Sequence, residues 1–127
     1  MTICGHYYCA YFADYVVECV HRVGLDNGAI TQWPVSDRPA CLSVNEAHNV
    51  LVTCDIVRKI KEFSSDGNLL RELTLPDDVI NPCHTIQLAN GDFIVCHGGR
   101  DDAVHRVCKV SADGLHIVHS HGGQWGL

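Results

Sequence analysis

The sequence predicts an all-β chain, a partial β-propeller of about two and a half to three four-stranded antiparallel blades. Three observations carry that expectation. The stretch from Pro39 to Leu75 divides into four short strand candidates separated by turn signals. Much of it recurs between Pro82 and Ser120, where Val50-Leu51-Val52 answers to Phe93-Ile94-Val95, Lys59-Ile60 to Arg106-Val107 and Asp66-Gly67 to Asp113-Gly114. The repeat length also fits, since Pro39 and Pro82 are 43 residues apart and Gly28, Gly67 and Gly114 are spaced by 39 and 47. One four-stranded sheet per period of roughly 40 to 50 residues is the pattern of a propeller blade.

The first unit, 1–37, reads as an incomplete blade. Tyr7 to Tyr11 is an aromatic strand candidate, Val16 to Val23 a second and Ala29 to Trp33 a third, while Met1 to Cys4 supplies part of an innermost strand at most. Asn27-Gly28 is a hairpin signal, because a type I′ turn needs positive φ at both central residues. The second blade, 38–81, places strands at 41–44, 50–54, 59–64 and 69–75. Its second strand is almost wholly apolar, as a strand covered on both faces should be. The third unit, 82–127, places strands at 84–88, 93–97, 105–110 and 115–120, followed by a linker-like tail. The loop from Gly98 to Ala103 is longer than its counterpart at Asp55 to Val57, and such loops tolerate insertion and meet ligands.

Composition limits the rest. The 127 residues are 46% hydrophobic and 19% charged, the proportions of one globular domain. A net charge of -6 argues against a general attraction to nucleic acid or anionic lipid. No run approaches the roughly 18 to 20 apolar residues of a membrane helix, and the first ten residues lack a signal-peptide pattern, so no membrane association and a cytoplasmic location are expected. Eight cysteines without an export signal and without a Cys-x-x-Cys pair read as thiols packed inside blades.

The third strands can be laid together as Val20-His21-Arg22-Val23, Val57-Arg58-Lys59-Ile60 and Val104-His105-Arg106-Val107, each followed by a turn ending in glycine. In this the chain resembles the NHL repeat, although no unit has the asparagine before the basic pair. The resemblance implies a propeller usually of six blades, so a homodimer completing a six-bladed ring is one expectation and a fragment another. It also implies a tripartite-motif-like interaction module: a non-enzymatic scaffold or substrate-recognition surface with a protein partner and no cofactor.

The residues expected to form that binding surface are His21, Arg22, Arg58, Lys59, His105, Arg106 and Arg100. Equivalent basic pairs at one level would make a groove for phosphate or acidic peptide, or a face for single-stranded RNA. The alternative from a different class is a metal-dependent propeller lyase or hydrolase. Its metal would be held by His84, His97 and His105 if their strand ends share a propeller face; peptidyl-amidating lyases, built on an NHL-like propeller, use histidine-bound zinc, although their motifs are not matched here. No nucleophile elbow, phosphate loop or His-Glu-x-x-His motif is present, so no catalytic residue is assigned. Asp77-Asp78 and Asp101-Asp102 read as solvated loop charges.

Overall fold

The computed structural model of the chain describes residues 1–98 and 105–122. Twelve strands form three four-stranded antiparallel sheets. The first holds β1 (Thr2–Cys4), β2 (Cys9–Asp14), β3 (Cys19–Gly24) and β4 (Ile30–Pro34). The second holds β5 (Pro39–Val44), β6 (Val50–Cys54), β7 (Lys59–Phe63) and β8 (Leu69–Thr74). The third holds β9 (His84–Gln87), β10 (Phe93–Gly98), β11 (His105–Val110) and β12 (Ile117–Gly122). In each sheet the strands lie in sequence order.

The second and third sheets follow the sequence reading to within two residues at each strand end. The first differs. Thr2–Cys4 pairs fully with Cys9–Tyr11, so this sheet has all four strands. Tyr7 and Tyr8 stand in the turn between β1 and β2 rather than in a strand, and Tyr8 has φ of 50°. Val16 and Val17 likewise occupy the β2–β3 turn and are exposed. At Asn27-Gly28 only Gly28 has positive φ, and the turn spans a longer loop closed by Gly24 N–H donating to the Ala29 carbonyl. The Asn27 side chain stabilises it by accepting from Ala29 N–H.

Alternation along β6 divides the core in two. Val50, Val52 and Cys54 face the first sheet and pack with Tyr11, Val20, Trp33, Val35, Leu42 and Phe63. Leu51 faces the other way and joins Ile60, Leu75, Val79, Phe93, Val95, Cys108 and Val110. All five β6 residues are buried, as the apolar run predicts. Trp33 is edge-on to Tyr11 and tilted against Phe63, tying the outer edge of the first sheet to the second.

The linkers between sheets are held by the hairpins they pass. Val35 N–H donates to the Glu18 carbonyl at 2.9 Å, and Leu75 N–H donates to the Arg58 carbonyl at 2.8 Å. The repeated bond makes Glu18, and not His21, the counterpart of Arg58. It follows that Cys19 corresponds to Lys59 and His21 to Lys61, so the basic pair of the first sheet sits three residues further along its strand than the sequence alignment placed it.

Candidate functional site

The innermost strands β5 and β9 approach each other between the second and third sheets. Ser43 Oγ donates to the Thr85 carbonyl, and Thr53 Oγ1 donates to Thr85 Oγ1 at 3.0 Å, both buried. These bonds fix β9 against β5. One residue before Thr85, His84 Nδ1 meets Cys41 Sγ at 2.8 Å. Cys41 and His84 are both partly exposed. Nε2 of His84 has no partner among the described residues. A thiol and an imidazole in hydrogen-bond contact, reachable from solvent and set on strands rather than on a loop, form a base with a nucleophilic or proton-donating neighbour. Cys83, adjacent in sequence and exposed, donates to the Cys96 carbonyl at 3.2 Å.

Of the other histidines expected to hold a metal, His97 does not join His84. Its register partner is Cys96, so His97, one residue on, lies on the opposite face of β10. His97 is 5% exposed, and its Nδ1 has no hydrogen-bond partner. Burial pushes its pKa below the usual histidine value and the Arg106 charge adds to this, against the opposing effect of its bond to the Ile80 backbone. The side chain of His105 lies outside the described residues.

The β2–β3 hairpin makes a second cluster. Asp14 and Cys19 are the register pair that closes it, and His21, two residues on, shares their face. Cys19 Sγ lies 3.4 Å from His21 Nε2, which lies 3.8 Å from Asp14 Oδ2. Neither sequence motif nor spacing flagged either cluster. Cys41 and His84 are 43 residues apart, and Asp14, Cys19 and His21 converge only once the hairpin register is known.

Of the residues expected to form a basic surface, Arg22, Arg58 and Lys59 are engaged individually. Arg22 donates to the Ser65 carbonyl at 2.9 Å, lies near Asp66, and has its guanidinium over the Tyr7 ring. Arg58 bonds the Pro76 carbonyl and Asp77, and Lys59 pairs with Glu72. Arg106 is exposed on β11. His21 and Arg22 do not share a level with Arg58 and Lys59, for the register reason given above. Arg100, Asp101 and Asp102 lie outside the described residues. Of the cysteines, Cys4, Cys9, Cys19, Cys54 and Cys108 are buried as expected of packed thiols, whereas Cys41, Cys83 and Cys96 are not.

Three four-stranded sheets packed face to face through alternating strands define the class: the chain is a partial β-propeller of three blades. The solved structures it is similar to are of the same kind. Virginiamycin B lyase from Staphylococcus aureus matches 99% of this chain at 19% identity and a TM-score of 0.68, with the chain covering 40% of the lyase. Hydrazine synthase from Kuenenia stuttgartiensis matches 96% at 12% identity and 0.75, covering 36%. The calcium-binding protein regucalcin from Agrobacterium tumefaciens matches 94% at 14% identity and 0.66, covering 41%. A catalytically inactive histidine-to-alanine variant of the same lyase, solved with quinupristin, also matches, at 16% identity and 0.61. The chain thus spans well under half the length of these structures. No family model matches it, and no curated protein does. The expectation of a chain without a reaction of its own is corrected here: a lyase shares its fold along nearly the whole chain, so the interaction-only reading is set aside.

Proposed function

We propose that the chain supplies three NHL-type blades of a propeller lyase or hydrolase in which His84 is the acid–base group and Cys41 its partner. The observation that carries this reading is the 2.8 Å contact between Cys41 Sγ and His84 Nδ1 on the two innermost strands. The fold likeness to a lyase that loses activity when one histidine is replaced adds support. In the lyase reaction, His84 Nε2 takes a proton from a carbon beside a carbonyl. The released pair forms a carbon–carbon double bond as the bond from the next carbon to a leaving oxygen breaks, and that oxygen takes a proton from solvent. In the hydrolytic variant the Cys41 thiol passes its proton to His84 Nδ1 and attacks an ester carbonyl carbon; the carbon–oxygen ester bond breaks, the leaving oxygen takes that proton, and water then cleaves the thioester to release the acid and restore the thiol.

The test is turnover of quinupristin by the chain, with His84→Ala, Cys41→Ser and His97→Gln compared. Loss in His84→Ala with activity kept in His97→Gln supports the assignment; no turnover by the unaltered chain, or equal turnover in His84→Ala, overturns it. Product mass separates the two chemistries, since hydrolysis adds one water and elimination adds none.

A further inference from the structure

The β2–β3 hairpin carries a second chemistry that does not depend on the lyase reading. Asp14 Oδ2, Cys19 Sγ and His21 Nε2 all lie within 4.8 Å of one another. A tetrahedral zinc ion with bonds of roughly 2.0 to 2.3 Å sets its ligand atoms about 3.3 to 3.8 Å apart. The separations of 3.4 Å between sulfur and nitrogen and 3.8 Å between nitrogen and oxygen match that spacing. The remaining separation, from the Asp14 oxygen to the Cys19 sulfur, lies within 4.8 Å, so a side-chain adjustment of about 1 Å or less completes the set.

Their convergence is built into the backbone. Asp14 and Cys19 are paired across the hairpin, and the two-residue repeat of the strand brings His21 to the same face. Asp14 is oriented by its other oxygen, Oδ1, which accepts from Val16 N–H at 3.0 Å and Val17 N–H at 3.3 Å. That leaves Oδ2 turned to the histidine. The supporting bonds act as an outer shell that holds the carboxylate in place.

The repeat supplies a contrast. In the second sheet the counterpart of His21 is Lys61, whose ammonium occupies the equivalent place and grips the linker through the Val35 carbonyl and Asp37. A buried cation already serves at this position one blade on. In the first sheet three ligand atoms stand there instead, with Cys19 buried and His21 and Asp14 side chains 30% and 39% exposed, so an ion can enter from solvent.

We propose that Asp14, Cys19 and His21 bind one zinc ion, with the fourth tetrahedral position open to water or to a donor atom from a bound molecule. Thiolate and imidazole ligands select zinc over magnesium or calcium. Binding releases the thiol proton to solvent.

The experiment is a Co²⁺ titration of the full chain, held reduced without added thiol, followed by Zn²⁺ displacement. A thiolate-to-cobalt charge-transfer band with tetrahedral d–d absorption, saturating at one equivalent and abolished by Zn²⁺, is the expected result. Cys19→Ser should abolish the band. His21→Gln should weaken Zn²⁺ binding by more than the roughly 10- to 100-fold that loss of a supporting contact costs. Cys83→Ser, an exposed thiol on the third unit, should leave the band unchanged. A band that survives Cys19→Ser, a band that disappears in Cys83→Ser, or no band at all overturns the proposal. Should Cys19→Ser fail to fold because Cys19 is buried, the partly exposed His21 decides: unchanged Zn²⁺ affinity in His21→Gln overturns it equally.

Discussion

Lys61 donates from its Nζ to the Val35 carbonyl at 2.7 Å, joining the third strand of the second sheet to the linker that enters it. The ammonium is almost wholly buried and also pairs with Asp37 at 2.7 Å and Glu72 at 3.6 Å. Removing one partner of a fully buried ion pair costs about 3–5 kcal/mol. Asp37 and Glu72 are partly exposed and Glu72 keeps Lys59, so Lys61→Ala should lose less, about 1–3 kcal/mol, in denaturant unfolding. Lys61→Met, which keeps the volume but not the charge, separates packing from pairing; if Lys61→Met were as stable as the unaltered chain, the ion pair would not be what holds this boundary.

Gly67 ends the β7–β8 turn with φ of 90°, and a Cβ placed there would lie 2.8 Å from the Trp33 ring. Gly67→Ala therefore meets both backbone strain and overpacking, and should cost roughly 2–4 kcal/mol. Gly28→Ala is the control. Its φ is also positive, at 67°, but nothing lies near the added Cβ, so only the backbone cost of about 1 kcal/mol is expected. Equal losses measured by urea unfolding would remove Trp33 from the explanation.

His97 gives stability an acid limit. Its pKa is lowered in the folded chain, by burial first and then by the charge of Arg106. The unfolded chain binds the proton at about pH 6.5, whereas the folded chain resists it. Stability is therefore full above that value and falls as pH drops from about 6.5 through the folded pKa. In His97→Gln this loss should disappear between pH 7 and 5, while the loss at lower pH persists through Asp55. Burial opposes the Asp55 charge, but the bond and charge of Arg38 and the Ile56 N–H more than offset it, leaving its pKa below the usual carboxylate value. Unfolding free energies across that range check the separation.

Thiol labelling should follow exposure. Cys83 is the exposed cysteine and should be modified first by a maleimide in the folded chain. Burial pushes the Cys54 thiol up to about 12 and the Cys108 thiol up to about 11, so both stay protonated and shielded. Mass mapping after brief labelling should find Cys54 and Cys108 unmodified until denaturant is added. Early modification of Cys54 would contradict its packing against the first sheet.

The second sheet was nearly fully legible because its turns carry chemistry that fixes register, above all Asp66-Gly67 between two mixed strands. The first sheet was less so. Tyr7, Tyr8, Val16 and Val17 have strand-forming side chains yet stand in turns, since propensity cannot see that Tyr8 and Glu18 adopt positive φ of 50° and 53°. The same blindness displaced the basic pair: Val20-His21-Arg22-Val23 looks like Val57-Arg58-Lys59-Ile60, but the hairpin bond to Val35 aligns Glu18 with Arg58. The Cys41–His84 contact joins residues from two blades and leaves no local trace. Asp14, Cys19 and His21 lie close in sequence, yet only a known strand pairing shows that they face one another.

The strand Val50–Cys54 has a consequence for how events at one end of the chain are felt at the other. Its side chains alternate between two separate apolar clusters, and among the described residues neither cluster spans all three sheets. Trp33 meets Phe63 on one side of the second sheet, and Arg71 of the same sheet lies over the Phe93 ring on the other. The middle sheet is therefore the common wall of both apolar clusters, so a change in its own side chains is felt on two fronts at once.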